Sequence, residues 1–238
     1  MLKRLLSALG LEIRRRNVKS SDSLRLVRMM TSLRIDTVVD VGANAGRYGH
    51  SIRTGGFTGR ILSVEPLIDA HRLLSKRASS DFGWDVYRRC AVTPTGEDAT
   101  LRVSADGVSS SLKELSAAGS GVAPSAAAVG AERVPGVALD MLLSEACTGG
   151  ARCWLKLDVQ GLESDLLATA DLSQPGLVAV QAEASFVELY RGQQLFDSLL
   201  GLFNRHGFSV WAVLPGFSDM RSGRMLQADL VAVREASG

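Results

Sequence analysis

A chain of 238 residues, 46% of them apolar and 22% charged, is long enough for one well-buried α/β domain and short for two. A formal charge of +2 gives no global electrostatic case for nucleic acid, and the three cysteines, Cys90, Cys147 and Cys153, lack the C-x-x-C spacing of a zinc site or the even number of a disulfide framework. The expectation is a cytoplasmic protein in a reducing compartment, without a metal.

The opening MLKRLLSALGLEIRRR sets leucines at helical spacing beside Lys3, Arg4, Arg14, Arg15 and Arg16. Its apolar runs are too broken for a signal h-region or a membrane span. It reads either as a helix capping the domain, the commoner case, or as a basic amphipathic helix giving peripheral contact with the inner face of an anionic membrane. Residues 1–34 are expected as an N-terminal helical extension, with a helix over about 23–33 capped by Ser21 or Asp22, and residues 35–238 as the catalytic domain.

The first strand, Thr37 to Val41, runs straight into a glycine turn, TVVDVGANAG. Val38, Val39 and Val41 suit a strand covered on both faces, and Gly42 and Gly46 allow close approach of a ligand. A dinucleotide fingerprint would need G-x-G-x-x-G, but Asn44 and Arg47 replace its second and third glycines. Asp40 would repel a pyrophosphate and welcome an ammonium or a ribose hydroxyl, which suits S-adenosylmethionine.

Beyond a helix over 47–54, the strand RILSVE ends in Glu65, and Pro66 opens a helical stretch to about Ser79 with Leu67, Ile68, Leu73 and Leu74 facing inward. A strand near 84–92 and a β extension over 93–104 follow. The Ser/Ala/Gly-rich stretch 104–130 has no bulky apolar pattern and is expected as a mobile surface segment, with a helical turn near Leu112 to Leu115, serving either as a lid or as a tolerated insertion.

Regular structure resumes at VPGVALD, with a short helix over 141–146 and the strand CWLKLD, in which Trp154, Lys156 and Asp158 share a face. A helix over 161–170, the strand LVAVQAE, a helix ending at Gly207 and two final strands expected to pair antiparallel complete the chain. This alternation predicts a doubly wound, mostly parallel seven-stranded Rossmann-like sheet with an antiparallel C-terminal strand, whose ligands collect at the strand C-termini.

Asp40, Glu65, Asp158 and Glu183 each close a predicted strand and so share one rim. Glu65 stands 23 positions beyond Gly42 (65 − 42), the separation at which an acid on the second strand reaches both ribose hydroxyls. His50, His71 and His206 fall on helices away from that rim. No G-x-S-x-G elbow, P-loop or H-E-x-x-H is present, and a cation bridging Asp158 and Glu183 has no liganding motif behind it.

The series DVGANAG (40–46), Val64-Glu65-Pro66, Leu139-Asp140 and LKLDVQGLE (155–163), with QAEASFVELYRGQQLFDSLLGLFNRHGF and Leu226 to Leu230 behind it, resembles the FkbM family of S-adenosylmethionine-dependent methyltransferases over roughly residues 35 to 234. Gln160 stands where many relatives carry Glu. The resemblance implies a class I methyltransferase sheet and O-methylation of a hydroxyl, often of a sugar in a glycolipid or polysaccharide, or of a secondary metabolite. It implies that Gly42, Ala43 and Gly46, with Asn44 between them, pass beneath the cofactor. Glu65 with Pro66 takes the ribose, and Ala91 and Val92 approach the adenine. Lys156, Asp158 and Glu163 would stand beside the methyl group, Glu163 alternatively anchoring the turn after the strand.

Asp158 is the first candidate base and Glu183 the second, with Asp40 and Asp158 both placed to bind the cofactor ammonium. Two rivals stay open on the same architecture. One is an NAD-dependent oxidoreductase or epimerase, disfavoured by the missing third glycine and Tyr-x-x-x-Lys pair. The other is a non-catalytic cofactor-binding module. The acceptor and the oligomeric state are not legible.

Overall fold

The structure is a computed structural model that describes residues 17–234 together with Leu6 and Gly10. The basic N-terminal helix expected over the first sixteen residues thus lies outside the described residues. Strands β1 (Thr37–Val41), β2 (Arg60–Val64), β3 (Trp84–Val86), β8 (Cys153–Leu157), β9 (Leu177–Ser185), β10 (Phe208–Pro215) and β11 (Gln227–Arg234) form one sheet in the order β10-β11-β9-β8-β1-β2-β3. All neighbours pair in parallel except β11, which runs antiparallel to both β9 and β10. This is a mostly parallel, doubly wound Rossmann-like sheet. Its order reverses between β1 and β8, the switch point at which such sheets bind ligands.

Every residue of β1 and β8 is buried, as the unbroken apolar character of Val38-Val39 and Trp154-Leu155 requires of strands covered on both faces. One core layer joins Val39, Val41, Leu62 and Leu155 to Leu142, Leu143, Leu166 and Phe203 from helices α5 (Leu139–Ala146), α6 (Glu163–Thr169) and α7 (Phe196–Arg205). The opposite layer sets Val38, Ile61 and Trp154 against α1 (Asp22–Ser32), α2 (Arg47–Gly55) and α3 (Ile68–Ala78). Leu26, Val27 and Met30 of α1 belong to this second layer, so that helix is packed into the same folded unit as the sheet.

Three details differ from the sequence expectation. Helix α3 begins at Ile68 rather than Pro66, and its buried stripe is Ala70, Leu74 and Ala78, an i, i+4, i+8 face that leaves Ile68 and Leu73 exposed. The strand expected over 84–92 is two, β3 and β4 (Ala91–Val92), and β4 leaves the main sheet to pair with β7 (Gly136–Val137). The expected β extension is present as β5 (Ala99–Ser104), paired antiparallel with β6 (Ala128–Val134).

The third difference is the stretch expected as mobile, which is folded against the sheet's C-terminal rim. Its helix is α4 (Ala117–Val122), followed by a short 3₁₀ turn over Pro124–Ala126, rather than a turn at Leu112 to Leu115. Hydroxyls do here what large apolar side chains do elsewhere. Ser111 donates to the Gln160 carbonyl at 2.6 Å, while buried Ser116 donates to the Glu188 carbonyl at 2.5 Å and accepts the Gly119 amide at 3.0 Å. Gly119 fits under the Leu189 carbonyl because a Cβ there would lie 2.3 Å from that oxygen.

Candidate active site

The parallel registers bring Asp40 level with Lys156 across β1 and β8, and Lys156 level with Gln181 across β8 and β9. Lys156 Nζ lies 3.4 Å from Asp40 Oδ1 and 3.3 Å from Asp158 Oδ2, and 5.3 Å from the centre of the Tyr48 ring. Burial works against the ammonium, but the carboxylates of Asp158, Asp40 and Asp229 outweigh it and hold the lysine above its ordinary range. Complete burial pushes the Asp40 carboxyl up, with Lys156 pulling back. Asp40, expected at the rim facing the cofactor ammonium, is instead sealed beneath it: its strand is covered on both faces and its partner is Lys156.

Above this pair the chain leaves β1 at Gly42, whose φ of +77° no β-carbon-bearing residue adopts without strain. A Cβ there would sit 1.9 Å from the Asp158 carbonyl oxygen, so this glycine lets the loops after β1 and β8 touch. The Gly42 and Ala43 amides donate to the Val64 carbonyl at 3.0 and 3.1 Å, and the Asp158 amide to the Val41 carbonyl at 3.1 Å. Glu65 closes the turn, its carboxylate accepting the Asn44 amide at 2.7 Å and the Leu67 amide at 2.8 Å. Burial pushes its carboxyl up to about 7 against the pull of those two amides.

A cleft opens at this point, with about 650 Å³ of empty space counting the part open to solvent. Of the residues expected to hold the cofactor, Gly42, Asn44, Glu65, Pro66, Ala91, Val92 and Asp158 line it. Ala43 and Gly46 do not: Ala43 is buried in the second core layer, and Gly46, at φ +77°, is the N-cap of α2. Lys156 stands below the wall and touches it through Asp158. Glu183 is also absent from the wall, because its strand position faces Asp229 of β11 and its carboxylate accepts the Gln227 amide. Burial raises the Glu183 carboxyl well above the carboxylate range, and the charges of Asp158, Glu163 and Asp229 push the same way.

Asp158 is the acid with an open side, its side chain 39% exposed. Lys156 holds one oxygen and the Gln160 amide donates to the other at 2.7 Å. The turn after β8 carries Gln160 at φ +53° and Gly161 at φ +97°. Glu163 anchors it by accepting the Val159 amide at 2.8 Å and the Gly161 amide at 3.0 Å; burial pushes this carboxyl up to about 7.

Sequence reasoning offered residues 104–130 as a lid or an insertion but named none of the roof's contacts. Gly107, Val108, Ser110 and Leu112 line the cleft, and the Gly107 carbonyl accepts the Asn44 side-chain amide at 3.0 Å. The loop is organised by Asp106, which accepts the amides of Val108 and Ser109, both at 2.9 Å, and the Ser104 hydroxyl at 2.7 Å. Partial burial pushes this carboxyl up, yet those bonds hold it at about 2. The Asp106-Gly107 pair, followed after Val108 by three serines, is a turn signal that marked the place.

Among the described residues the cleft wall carries Glu65 and Asp158 and no lysine, arginine or histidine. A pyrophosphate would meet acids alone, whereas two carboxylates suit hydroxyl and ammonium groups, and Val92, Leu101 and Leu67 add apolar wall.

A family model described as the methyltransferase FkbM domain matches residues 40–210. No curated protein matches the chain. Among solved structures, magnesium protoporphyrin IX methyltransferase from Synechocystis, with S-adenosylmethionine bound, is similar at 10% identity and a TM-score of 0.46, over 98% of this chain and 95% of that one. An S-adenosylmethionine-dependent methyltransferase from Mesorhizobium loti is similar at 11% identity and a TM-score of 0.46, over 92% of this chain and 100% of that one. Among the described residues no helix is long and apolar enough to cross a membrane.

Proposed function

We propose, on the premise that this chain belongs to the FkbM methyltransferase family and takes S-adenosylmethionine as its cofactor, that its reaction is O-methylation of an acceptor hydroxyl, as on a glycan, a glycolipid or a secondary metabolite. The observation that carries this reading is the half-exposed Asp158 carboxylate, held by Lys156 and Gln160 on the wall of a cleft without cations. S-adenosylmethionine supplies a methyl group already activated by its sulfonium. What the protein must add is alignment, dehydration and a site for the hydroxyl proton.

Glu65 would accept from the ribose hydroxyls, Ala91 and Val92 would bound the adenine, and the Gly42 and Asn44 turn would pass beneath the nucleoside. Asp158 would take the acceptor proton on whichever oxygen its partners leave open. Lys156 is a positioning residue: its ammonium fixes the Asp158 carboxylate and neutralises Asp40 below. Glu183, sealed behind Gln227, is the weaker candidate for the same task.

The test is transfer of tritiated methyl from S-adenosylmethionine into a cell lysate, followed by alkali, which strips methyl esters and spares methyl ethers. The expected product is alkali-stable. Asp158→Asn should cut its formation by about 10²- to 10⁴-fold while S-adenosylhomocysteine affinity in calorimetry stays within a small factor. Full activity in that variant removes the base assignment, and an alkali-labile product removes the hydroxyl.

A further inference from the structure

A second, half-open cavity, with about 770 Å³ of empty space counting its open mouth, adjoins the cofactor cleft, and Gln160 and Val108 line both. Its walls come from the folded strap over 104–126 and from two loops beyond β9 and β10, which contribute Leu189, Tyr190 and Phe217. Resting on the O-transfer reading above, we infer that this cavity seats the acceptor, and that the acceptor is an electrically neutral alcohol with an apolar body rather than a phosphorylated or nucleotide-linked one.

Charge carries the argument. No lysine, arginine or histidine lines the cavity among the described residues, and its one acid is Asp106. Asp106 is not free to bind a cationic acceptor, because it already accepts the Val108 and Ser109 amides and the Ser104, Ser109 and Ser125 hydroxyls. Its low carboxyl leaves a fixed negative charge in the wall at neutral pH. Arg221, on the loop after β10, is directed elsewhere, with its guanidinium on Asp219 and the Gly121 carbonyl. A phosphate seated here would shed part of its water and meet no cation in return, a cost with nothing to offset it.

Shape supplies the second half. Leu115, Leu189 and Phe217, with the Tyr190 ring, give the cavity an apolar side. The polar group shared with the cofactor cleft is the Gln160 amide, which bonds Asp158 on one side and meets the Tyr190 hydroxyl, 2.8 Å away, on the other. An alcohol whose apolar body rests on Phe217 and Leu189 points its hydroxyl past Gln160 toward Asp158. Gln160 is thus the partition the acceptor crosses, and Ala123 and Phe217 bound the part of the seat remote from the chemistry.

Calorimetry on the full chain saturated with S-adenosylhomocysteine tests this directly. The neutral probes are n-octyl β-D-glucoside and 2-cyclohexylethanol, and the anionic ones glucose 6-phosphate and UDP-glucose. The neutral probes should bind and the anionic ones should not. Ala123→Trp, which fills the cavity, and Phe217→Ala, which removes an exposed ring, should each weaken the neutral probes about tenfold or more and leave S-adenosylhomocysteine affinity unchanged. Binding of either phosphorylated probe at comparable strength overturns the inference. So does failure of both neutral probes to bind at millimolar concentration, or neutral binding that both variants leave intact. Because the readout is binding, an alkali-labile product or a fully active Asp158→Asn enzyme sinks the O-transfer reading without touching this result.

Discussion

The floor of the site and its roof are built on opposite principles. The floor, the ends of β1 and β8, consists of strands buried on both faces, locked in register and carrying one ion pair beneath the surface. The roof, residues 104–126, has few large side chains and is held by serine hydroxyls, a carboxylate-centred loop and the close contact of Gly119 with the Leu189 carbonyl. Interactions in the floor are desolvated, so one broken partner is costly; those in the roof are several, modest and partly wet. Changes to the floor should therefore unfold the protein or empty the cofactor cleft, and changes to the roof should alter acceptor use in a protein that still folds.

The largest effect is expected beneath the cleft. Lys156→Met leaves Asp40 buried without its cation, a loss of about 3–5 kcal/mol in a denaturant titration, and adding Asp40→Asn should restore a large part of it. A single variant as stable as the parent would erase the distinction between floor and roof. Next comes Gly42→Ala, which combines the strain of φ +77° with a Cβ 1.9 Å from the Asp158 carbonyl oxygen. The expected loss is about 2–4 kcal/mol, with S-adenosylhomocysteine binding abolished in calorimetry because the loops after β1 and β8 must part.

A gentler probe of the floor is pH. The Glu65 carboxyl is held up to about 7, above its value in an unfolded chain, so the folded state keeps that proton longer. The resulting stabilisation is complete below the unfolded value and is lost as pH rises through about 7. Cofactor affinity should run the other way, since the ionised carboxylate is the better acceptor for ribose hydroxyls. S-adenosylhomocysteine should bind about tenfold more tightly at pH 8 than at pH 6 in the parent and with little pH dependence in Glu65→Gln. A flat parental profile would detach Glu65 from the ribose.

This division also explains what the sequence made legible. Val38, Val39 and Val41 announce a doubly covered strand, and a parallel sheet then fixes Glu65 and Asp158 near one another without further information. Periodicity says nothing about depth along a strand end, which is why Asp40 and Glu183, read as rim acids, lie below or behind the wall while Asp158 stands in it. Roof residues were harder still. Ser111 and Ser116 are buried through bonds to carbonyls that lie 49 and 72 positions away, and no local pattern encodes a partner so remote. Tyr190 sits after a strand in a stretch that entered the family resemblance as a whole, with no role attached to the tyrosine.

The smallest predicted effect isolates the roof's hold on the site. The Tyr190 hydroxyl lies 2.9 Å from the Ser109 carbonyl and 2.8 Å from Gln160 Oε1, and its one proton serves either. It is one of two side-chain links between the strap and the residue that holds Asp158, the other being the Ser111 hydroxyl on the Gln160 carbonyl. Tyr190→Phe keeps the ring, which Gly161 packs against, and removes that link, at a cost of about 1 kcal/mol in a denaturant titration. The Asp158 oxygens keep Lys156 and the Gln160 amide, so kcat should fall little while KM for the acceptor rises several-fold. S-adenosylhomocysteine affinity should not move, because Tyr190 is absent from the cofactor cleft. The reverse split, kcat falling with KM unchanged, would mean that the strap acts through Gln160 on the base itself, and the roof would then belong to the chemistry rather than to recognition.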